Sequence, residues 1–407
     1  MSNKRVVIVD YNHIAYKLAY APAAPLLHYV TDPATGATIP IPTNVQSGSM
    51  KSLFRWSRGG YDALAVCFDR PCPQRKVYFR EAFSEEETGG SGDYKGQRDN
   101  VNDQLMNAIN MTQKMLERAG VPCYYGNGYE ADDLIFAVLQ AAKEEYPDRQ
   151  IDIVTGDADL IPLVDDQVSV FMRSMKNTES EHNAIKKNKY VQITPKNYQS
   201  VIEGMSAYKN YTVPYNSLLL VKMLRGDSSD NIPGVPNRVY TPTRLRQIIE
   251  ELQSVSALDL GNIFRYGGDL AKMTFVLAPF MLGPNTLGTL WGIANERGNA
   301  DFEEFFNHNG VFDQDLLSVD AVRQAMIDDG TKDGFGGLRH LSHARRNYIG
   351  MNLNTPFGTG ENIPGDIRSR KAARAKAPGG YDEFKYATSA EELGIKIDPS
   401  YEFDYSF

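Results

Sequence analysis

Cysteine and tryptophan are scarce, at three and two in 407 residues. Cys67, Cys72 and Cys123 have neither zinc-ligand spacing nor the even count of a disulfide scaffold, so a reducing, cytoplasmic setting is expected. Cys67 sits in an apolar run, where a small buried hydrophobe is the expected role. Long apolar stretches are also lacking. No run of about eighteen such residues occurs, which argues against a transmembrane helix and a membrane partner. The start, Met1–Asp10, lacks signal-peptide anatomy and leads straight into a β-branched segment. No G-x-G-x-x-G follows that segment, which removes the nucleotide-binding oxidoreductases. No internal repeat is found. Positive charge is in deficit, with a formal net charge of −8. That counts against a uniformly basic nucleic-acid binder, unless acids gather at a metal site and bases line a separate groove.

What is present is a 42% apolar chain, ample for a packed core. Arg5–Asp10, Ala63–Asp69 and Gln150–Thr155 read as strands, with Pro122–Tyr125 a short one and Val168–Met172 an edge strand. Gln104–Ala119, stopping at Gly120, and Glu130–Lys143 read as helices between them. Strands alternating with helices predict an α/β fold with a mainly parallel central sheet. Ala21–Ser49 and the acidic, glycine-rich Ser84–Gly92 look insertional, the latter as a mobile loop. Leu218–Leu224 leads into the loop Gly226–Pro236. Thr241–Leu252, Phe275–Phe306 and Val319–Asp328 look helical, and Arg368–Lys376 is a basic run.

Open parallel sheets present functional groups at the carboxyl ends of their strands. Asp10 ends the first strand and Asp69 the second, and Asp157 and Asp159 follow the third. Glu130, Asp132 and Asp133 open a helix. Asp227 and Asp230 are spaced i, i+3 and share a face if their turn is helical. Each group has a plainer explanation: acids at a helix start complement its dipole, and a strand-terminal Asp caps a turn. Their convergence is harder to explain that way. Many carboxylates on one sheet edge repel unless cations intervene. Oxygen-only donors favour Mg²⁺ or Mn²⁺ over zinc, and two such ions can clamp the attacking and leaving oxygens of a phosphodiester.

The motifs VVIVDYN (Asp10), VCFD (Asp69), DYKGQRDN (Asp93–Asn100), YEADD (Tyr129–Asp133), TGDADL (Thr155–Leu160) and RGDSSDNIPGVP (Arg225–Pro236) occur in this order. Together they resemble the 5′-nuclease and flap-endonuclease superfamily, in particular bacteriophage 5′–3′ exonucleases, including phage ribonuclease H-like members, and the 5′-nuclease domain of bacterial DNA polymerase I. The resemblance covers about residues 5–240, and Arg345–Pro364 is similar to the family's closing segment. It implies a PIN-like nuclease domain over residues 1–215 with a helical arch at about 70–116. It also implies a helical DNA-binding subdomain over 216–366, with 367–407 a tail. Asp10, Asp69, Glu130 and Asp132 would surround one metal, supported by Asp133. Asp157, Asp159, Asp227 and Asp230 would serve a second. The ions would be Mg²⁺ or Mn²⁺, with Asp132 and Asp157 central to catalysis. Tyr94, Lys95 and Arg98 match a Tyr-Lys-x-x-Arg element that meets the scissile phosphate and displaced strand, Lys95 and Arg98 as charge and Tyr94 as a stacking platform. Arg75 and Arg80 add to this basic arch, although some such residues form only a solvated helical face.

The family's helix–hairpin–helix carries a glycine pair after the last motif. Here the chain reads Asn237-Arg-Val-Tyr-Thr-Pro-Thr243. Close backbone approach to duplex phosphate, and a monovalent ion there, are therefore not expected, and the motif is degenerate. Arg238 and Arg244, with Arg246, are candidates to bind phosphate through side chains instead. The acidic and aromatic tail Asp398–Phe407 reads either as a plain terminus or as a peptide for a replication clamp or single-strand-binding protein. The expected activity is 5′–3′ exonuclease and flap endonuclease action on DNA with a 5′ end or flap, and on RNA–DNA hybrids at primers, in a host cytoplasm if phage-encoded. The rivals are a PIN-like ribonuclease and a non-catalytic DNA-junction binder.

Overall fold

In the computed structural model the described residues are 5–20, 27–31, 34–58, 61–84, 87–88, 93–96, 103–126, 128–172, 191–203, 218–235, 241–254, 260–296, 319–329 and 336–353. They divide into two compact units, one built on Met1–Cys72 and Asp99–Lys209, the other on Pro73–Arg98 and Asn210–Thr355. The expected domain boundaries at 215 and 366 lie outside the described residues.

The first unit is a mainly parallel sheet. Its strands are β1 (Arg5–Asp10), β4 (Tyr61–Cys67), β5 (Cys123–Tyr124), β6 (Gln150–Thr155), β7 (Val168–Met172) and β8 (Val191–Ile193). Their order is β5-β4-β1-β6-β7-β8. Each pairing is parallel except β7 with β8. β1 and β6 are buried along nearly their whole length, as continuous Val/Ile runs in a covered sheet must be. Helices α1 (Tyr11–Ala19), α2 (Thr43–Arg58), α4 (Asp103–Arg118) and α5 (Ala131–Glu145) pack against the sheet. A separate hairpin pairs β2 (Leu27–Thr31) with β3 (Thr38–Pro42).

Two expectations are corrected here. Val168–Met172 is not an edge: β8 pairs antiparallel along it from Val170 to Met172. Ala21–Ser49 is no mere insertion among its described residues, because it supplies the hairpin and the first turns of α2. At the amino end of the sheet, Arg5 Nε donates to Asp152 Oδ2 at 2.6 Å. Asp152 has no solvent exposure.

The second unit is helical: α3 (Pro73–Ala82), α7 (Leu218–Arg225), α8 (Pro242–Ser254), α9 (Leu260–Ile263), α10 (Leu270–Met281), α11 (Pro284–Glu296), α12 (Asp320–Asp328) and α13 (Gly336–Met351), while α6 (Tyr198–Glu203) belongs to the first. The run expected as one helix from Phe275 breaks at Leu282–Gly283. Asp329 accepts there from the backbone N–H of Asn285 and Thr286, capping α11. An aromatic cluster of Phe79, Phe83 and Tyr94 packs with Ala82 and Ile232.

Candidate active site

Strands β4, β1 and β6 are neighbours and run parallel, so their carboxyl ends lie side by side. Asp10 closes β1 in register with Cys67 of β4. Its carboxylate caps α1 through a long bond from the His13 N–H (3.4 Å) and accepts from the Thr155 hydroxyl at 2.9 Å. Asp10 is buried, and burial, with the charge of Asp69 adding to it, pushes its pKa up to about 6. Asp69 lies two residues beyond β4. Its backbone N–H donates to Asn12 Oδ1 at 3.2 Å, and its Oδ1 accepts from the Ala131 N–H at 3.1 Å. That second bond ties the β4 end to the start of α5.

At the same helix start, Glu130 and Asp133 form a reciprocal capping box, with the Glu130 N–H donating to Asp133 Oδ2 at 3.0 Å. The plainer, structural role therefore holds for Asp133, which is buried in that box. Asp132 is half-buried, and burial, with the charges of Asp10 and Asp132 adding to it, raises the pKa of the Cys67 thiol. After β6, Thr155 accepts from the Asp157 N–H at 2.9 Å, and Asp157 Oδ1 accepts from the Asp159 N–H at 2.9 Å. Gly156 between them faces the His13 side chain. A Cβ there would lie 1.8 Å from the His13 ring.

The first unit thus gathers Asp10, Asp69, Glu130, Asp132, Asp133, Asp157 and Asp159 around three strand ends and one helix start. The donors are oxygens only, and two of the acids already perturb one another. Both properties suit a hard divalent cation, which would reverse the burial penalty on Asp10. Among the described residues, however, no three His, Cys, Asp or Glu side chains are grouped closely enough to hold a metal as they stand.

In the second unit, Asp227 and Asp230 lie in a loop that is a turn rather than a helix. Asp227 and Ile232 exchange backbone hydrogen bonds at 2.9 and 2.8 Å, and the Asp230 N–H donates to the Asp227 carbonyl at 3.2 Å. Asp227 pairs with Lys222 at 3.2 Å and accepts from Ser229, and despite its burial these partners hold its pKa below the usual carboxylate value. The turn Asp93–Gly96 docks on this loop: the Lys95 N–H donates to the Asp230 carbonyl at 2.9 Å, and Asn231 Nδ2 to the Asp93 carbonyl at 3.1 Å. Lys95 and Asn231 both have positive φ, at 54° and 59°. For Lys95 that is a strained backbone held by its surroundings.

The basic candidates separate. Lys95 Nζ stands 3.9 Å from Asp230 Oδ2. The Tyr94 hydroxyl donates to the same carboxylate at 3.4 Å, but its ring is stacked on Phe79 at 4.9 Å and buried. Tyr94 is thus core and no platform for a base, contrary to expectation. Arg75 is likewise buried, so its guanidinium is not on offer to a phosphate. Arg80 is exposed and donates to Asp93 at 3.1 Å through both Nε and Nη2. Arg244 is half-buried near Glu251 of its own helix. Arg98, Arg238 and the tail Asp398–Phe407 lie outside the described residues. Sequence reasoning missed Thr155, Asn12 and Lys222, which work by holding an acid or its backbone; their only signal was position beside one.

Residues 5–192 match the family described as 5′-3′ exonuclease, N-terminal resolvase-like domain. Over this stretch, a little under half of the chain, the protein is similar to the N-terminal domain of 5′–3′ exonucleases. DNA polymerase I of Lactococcus lactis subsp. cremoris is 31% identical over 228 residues, covering 54% of this chain and 24% of the polymerase. The thermostable DNA polymerase I of Thermus filiformis is 26% identical over 247 residues, covering 61% and 24%. The chain spans about a quarter of the length of these curated relatives. Among solved structures, the T5 5′-exonuclease with divalent metal ions (zinc) bound covers 91% of this chain and 98% of its own, at 14% identity and a TM-score of 0.48. No helix among the described residues is long and apolar enough to cross a membrane.

Proposed function

We propose that this protein is a member of the 5′-nuclease superfamily, a 5′–3′ exonuclease with structure-specific endonuclease activity on 5′-flapped DNA. It hydrolyses phosphodiesters to leave a 5′-phosphate and serves replication or primer removal. The observation that carries the reading is the arrival of Asp10, Asp69 and Asp157 at three adjacent parallel strand ends, in a segment that matches the 5′-3′ exonuclease domain family.

The proposed cofactors are Mg²⁺ or Mn²⁺, two ions or more. Asp10, Asp69, Glu130 and Asp132 are proposed to hold one ion, with Asp133 fixing the helix start beside it. Asp157 and Asp159, and Asp227 and Asp230, are proposed as further ligands. When bound, such ions lower the pKa of water and neutralise charge on the phosphate. The chain's own part is to hold its donors: Thr155 aims Asp10, the Ala131 N–H aims Asp69, and the Asp159 N–H aims Asp157. Lys95 and Arg98 are proposed to present charge to the scissile phosphate, and Arg80 and Arg244 to contact the nucleic-acid backbone with Arg238. No side chain is needed as nucleophile. The tail is proposed as a peptide for a replication clamp or single-strand-binding protein, and deleting Asp398–Phe407 with no change in that binding would remove the idea.

The test is one gel of labelled flap, nicked, gapped and RNA-primed duplexes and single-stranded RNA, with Mg²⁺ or EDTA. Flap cleavage that needs Mg²⁺ is expected. Asp157→Ala and Asp132→Ala should fold normally yet cut at most about a hundredth as fast. An Asp157→Ala protein that degrades 5′-tailed DNA at the wild-type rate would sink the mechanism. Faster cutting of single-stranded RNA than of the flap would point to a ribonuclease.

A further inference from the structure

Helix α13 buries an unusual run of polar side chains. In its stretch Ser342-His-Ala-Arg-Arg-Asn347, Ser342, His343, Arg345, Arg346 and Asn347 are all buried. Buried polar groups are costly unless each is satisfied, so their partners indicate what the helix is for.

Two of these side chains reach one carbonyl on the acid loop. His343 Nε2 lies 2.9 Å from the Pro233 carbonyl and Asn347 Nδ2 lies 2.9 Å from the same oxygen. A carbonyl only accepts, so His343 must carry its proton on Nε2. Asn347 also donates to the Met223 carbonyl at 2.8 Å, bridging α7 to the loop that follows it. From Pro233 the loop closes tightly. The Val235 N–H donates to the Leu224 carbonyl at 2.9 Å, and a Cβ on Gly234 would lie 2.2 Å from the Arg225 carbonyl.

Arg345 donates to the Thr274 hydroxyl of α10, whereas Arg346 and His343 reach the segment that leads to the Asp93–Gly96 turn. Arg346 donates to the Ala82 carbonyl, binds Glu87 at 2.8 Å and stacks over Phe83 at 4.5 Å. His343 Nδ1 lies 3.7 Å from Glu87, and its ring packs on Phe83 at 4.8 Å. One turn of α13 therefore grips the acid loop through Pro233 and the preceding arch segment through Ala82 and Glu87. These are the two pieces that dock at Asp230 and Lys95.

We propose that His343, Arg346 and Asn347 are positioning residues. They set the register between the loop carrying Asp227 and Asp230 and the turn carrying Lys95. None needs to touch the substrate. The inference rests on the reading of Asp230 given above, and small displacements of such groups are expected to change rate strongly.

The experiment measures flap cleavage and thermal unfolding for His343→Leu, His343→Gln and Glu87→Gln, alone and with Asp230→Asn. His343→Leu is expected to lower kcat about tenfold with KM within about twofold. His343→Gln, whose amide can still donate to Pro233, is expected to recover most of that loss. Glu87→Gln, at a partly exposed position that tolerates the change if His343→Leu fails to fold, is expected to lower kcat about threefold. With Asp230→Asn present, each variant should add less than about twofold. The proposal is overturned if kcat per folded molecule stays at wild type in all three variants, or if their losses multiply fully with that of Asp230→Asn. A wild-type rate for Asp230→Asn itself, beside an inactive Asp157→Ala, would overturn it by removing the role of the loop while leaving the nuclease reading intact.

Discussion

The two units place carboxylates by different means. In the first, the backbone does it: three parallel strands end at one level, and Asp10, Asp69 and Asp157 stand where those strands stop. In the second, Asp227 and Asp230 sit in an irregular loop that no sheet supports. Its shape comes from two glycines, a mutual bond between Asp227 and Ile232, and buried donors on α13. A sheet edge tolerates change at its neighbours because the ladder fixes it. A pinned loop depends on each pin. The first unit should therefore separate chemistry from stability, while the second should couple them.

The largest effect should come from the sheet edge. Asp10→Ala and Asp69→Ala are expected to cut flap cleavage by about a hundredfold or more while the proteins remain folded, as checked by circular dichroism. Loss of folding in both would collapse the contrast between the units. Next comes the opposite end of the same strands. Asp152→Ala leaves the Arg5 guanidinium without its buried partner and should cost about 3–5 kcal/mol in urea unfolding, with cleavage per folded molecule unchanged. In the loop, Gly226→Ala forces a Cβ onto a residue at φ +70°, 2.3 Å from the Ile232 carbonyl. About 2–3 kcal/mol should be lost, and here kcat should fall as well; an unchanged kcat would break the comparison.

The smallest effect is a pH dependence at Asp10. Its pKa is about 6 in the folded chain against an ordinary 3.8. Between those values the folded state binds the extra proton, so the contribution of Asp10 to metal-free stability should fall as pH rises from about 4 to about 6 and stay reduced above it. Asp10→Asn in EDTA should remove that slope and raise stability at neutral pH by about 2 kcal/mol. Thermal melts of both proteins across this range decide it. A stability difference between the two proteins that stays constant over this window would show that burial does not raise the pKa of Asp10.

Much of the first unit was legible because its strands are short β-branched runs ending in acids. β7 was misread as an edge because β8 is only three residues long. The hairpin was hidden by Pro40 and Pro42, which break the usual strand signal but pair with Tyr29 and Leu27 in a two-stranded sheet where one side needs no partner. At the site, acids could be read from their positions, whereas Thr155, Asn12 and Asn347 could not. Each acts through a contact between residues far apart in sequence, as Asn347 does with Met223 and Pro233. Tyr94 and Arg75 failed for a related reason. A local motif does not say which way a ring or a guanidinium turns.

The Tyr78 hydroxyl donates to the carbonyl of Arg346, 268 positions later. As a ribosome makes the chain, α3 and the segment after it emerge early, and the helix that completes their packing comes last among the described elements. At roughly 5–20 residues per second, the aromatic face of α3 waits on the order of ten seconds to a minute for α13. During that interval the sheet of the first unit can already close. The nascent protein is thus expected to have a finished acid edge before it has a finished loop, and a chain stalled before residue 336 should expose Phe79 and Phe83 to chaperones.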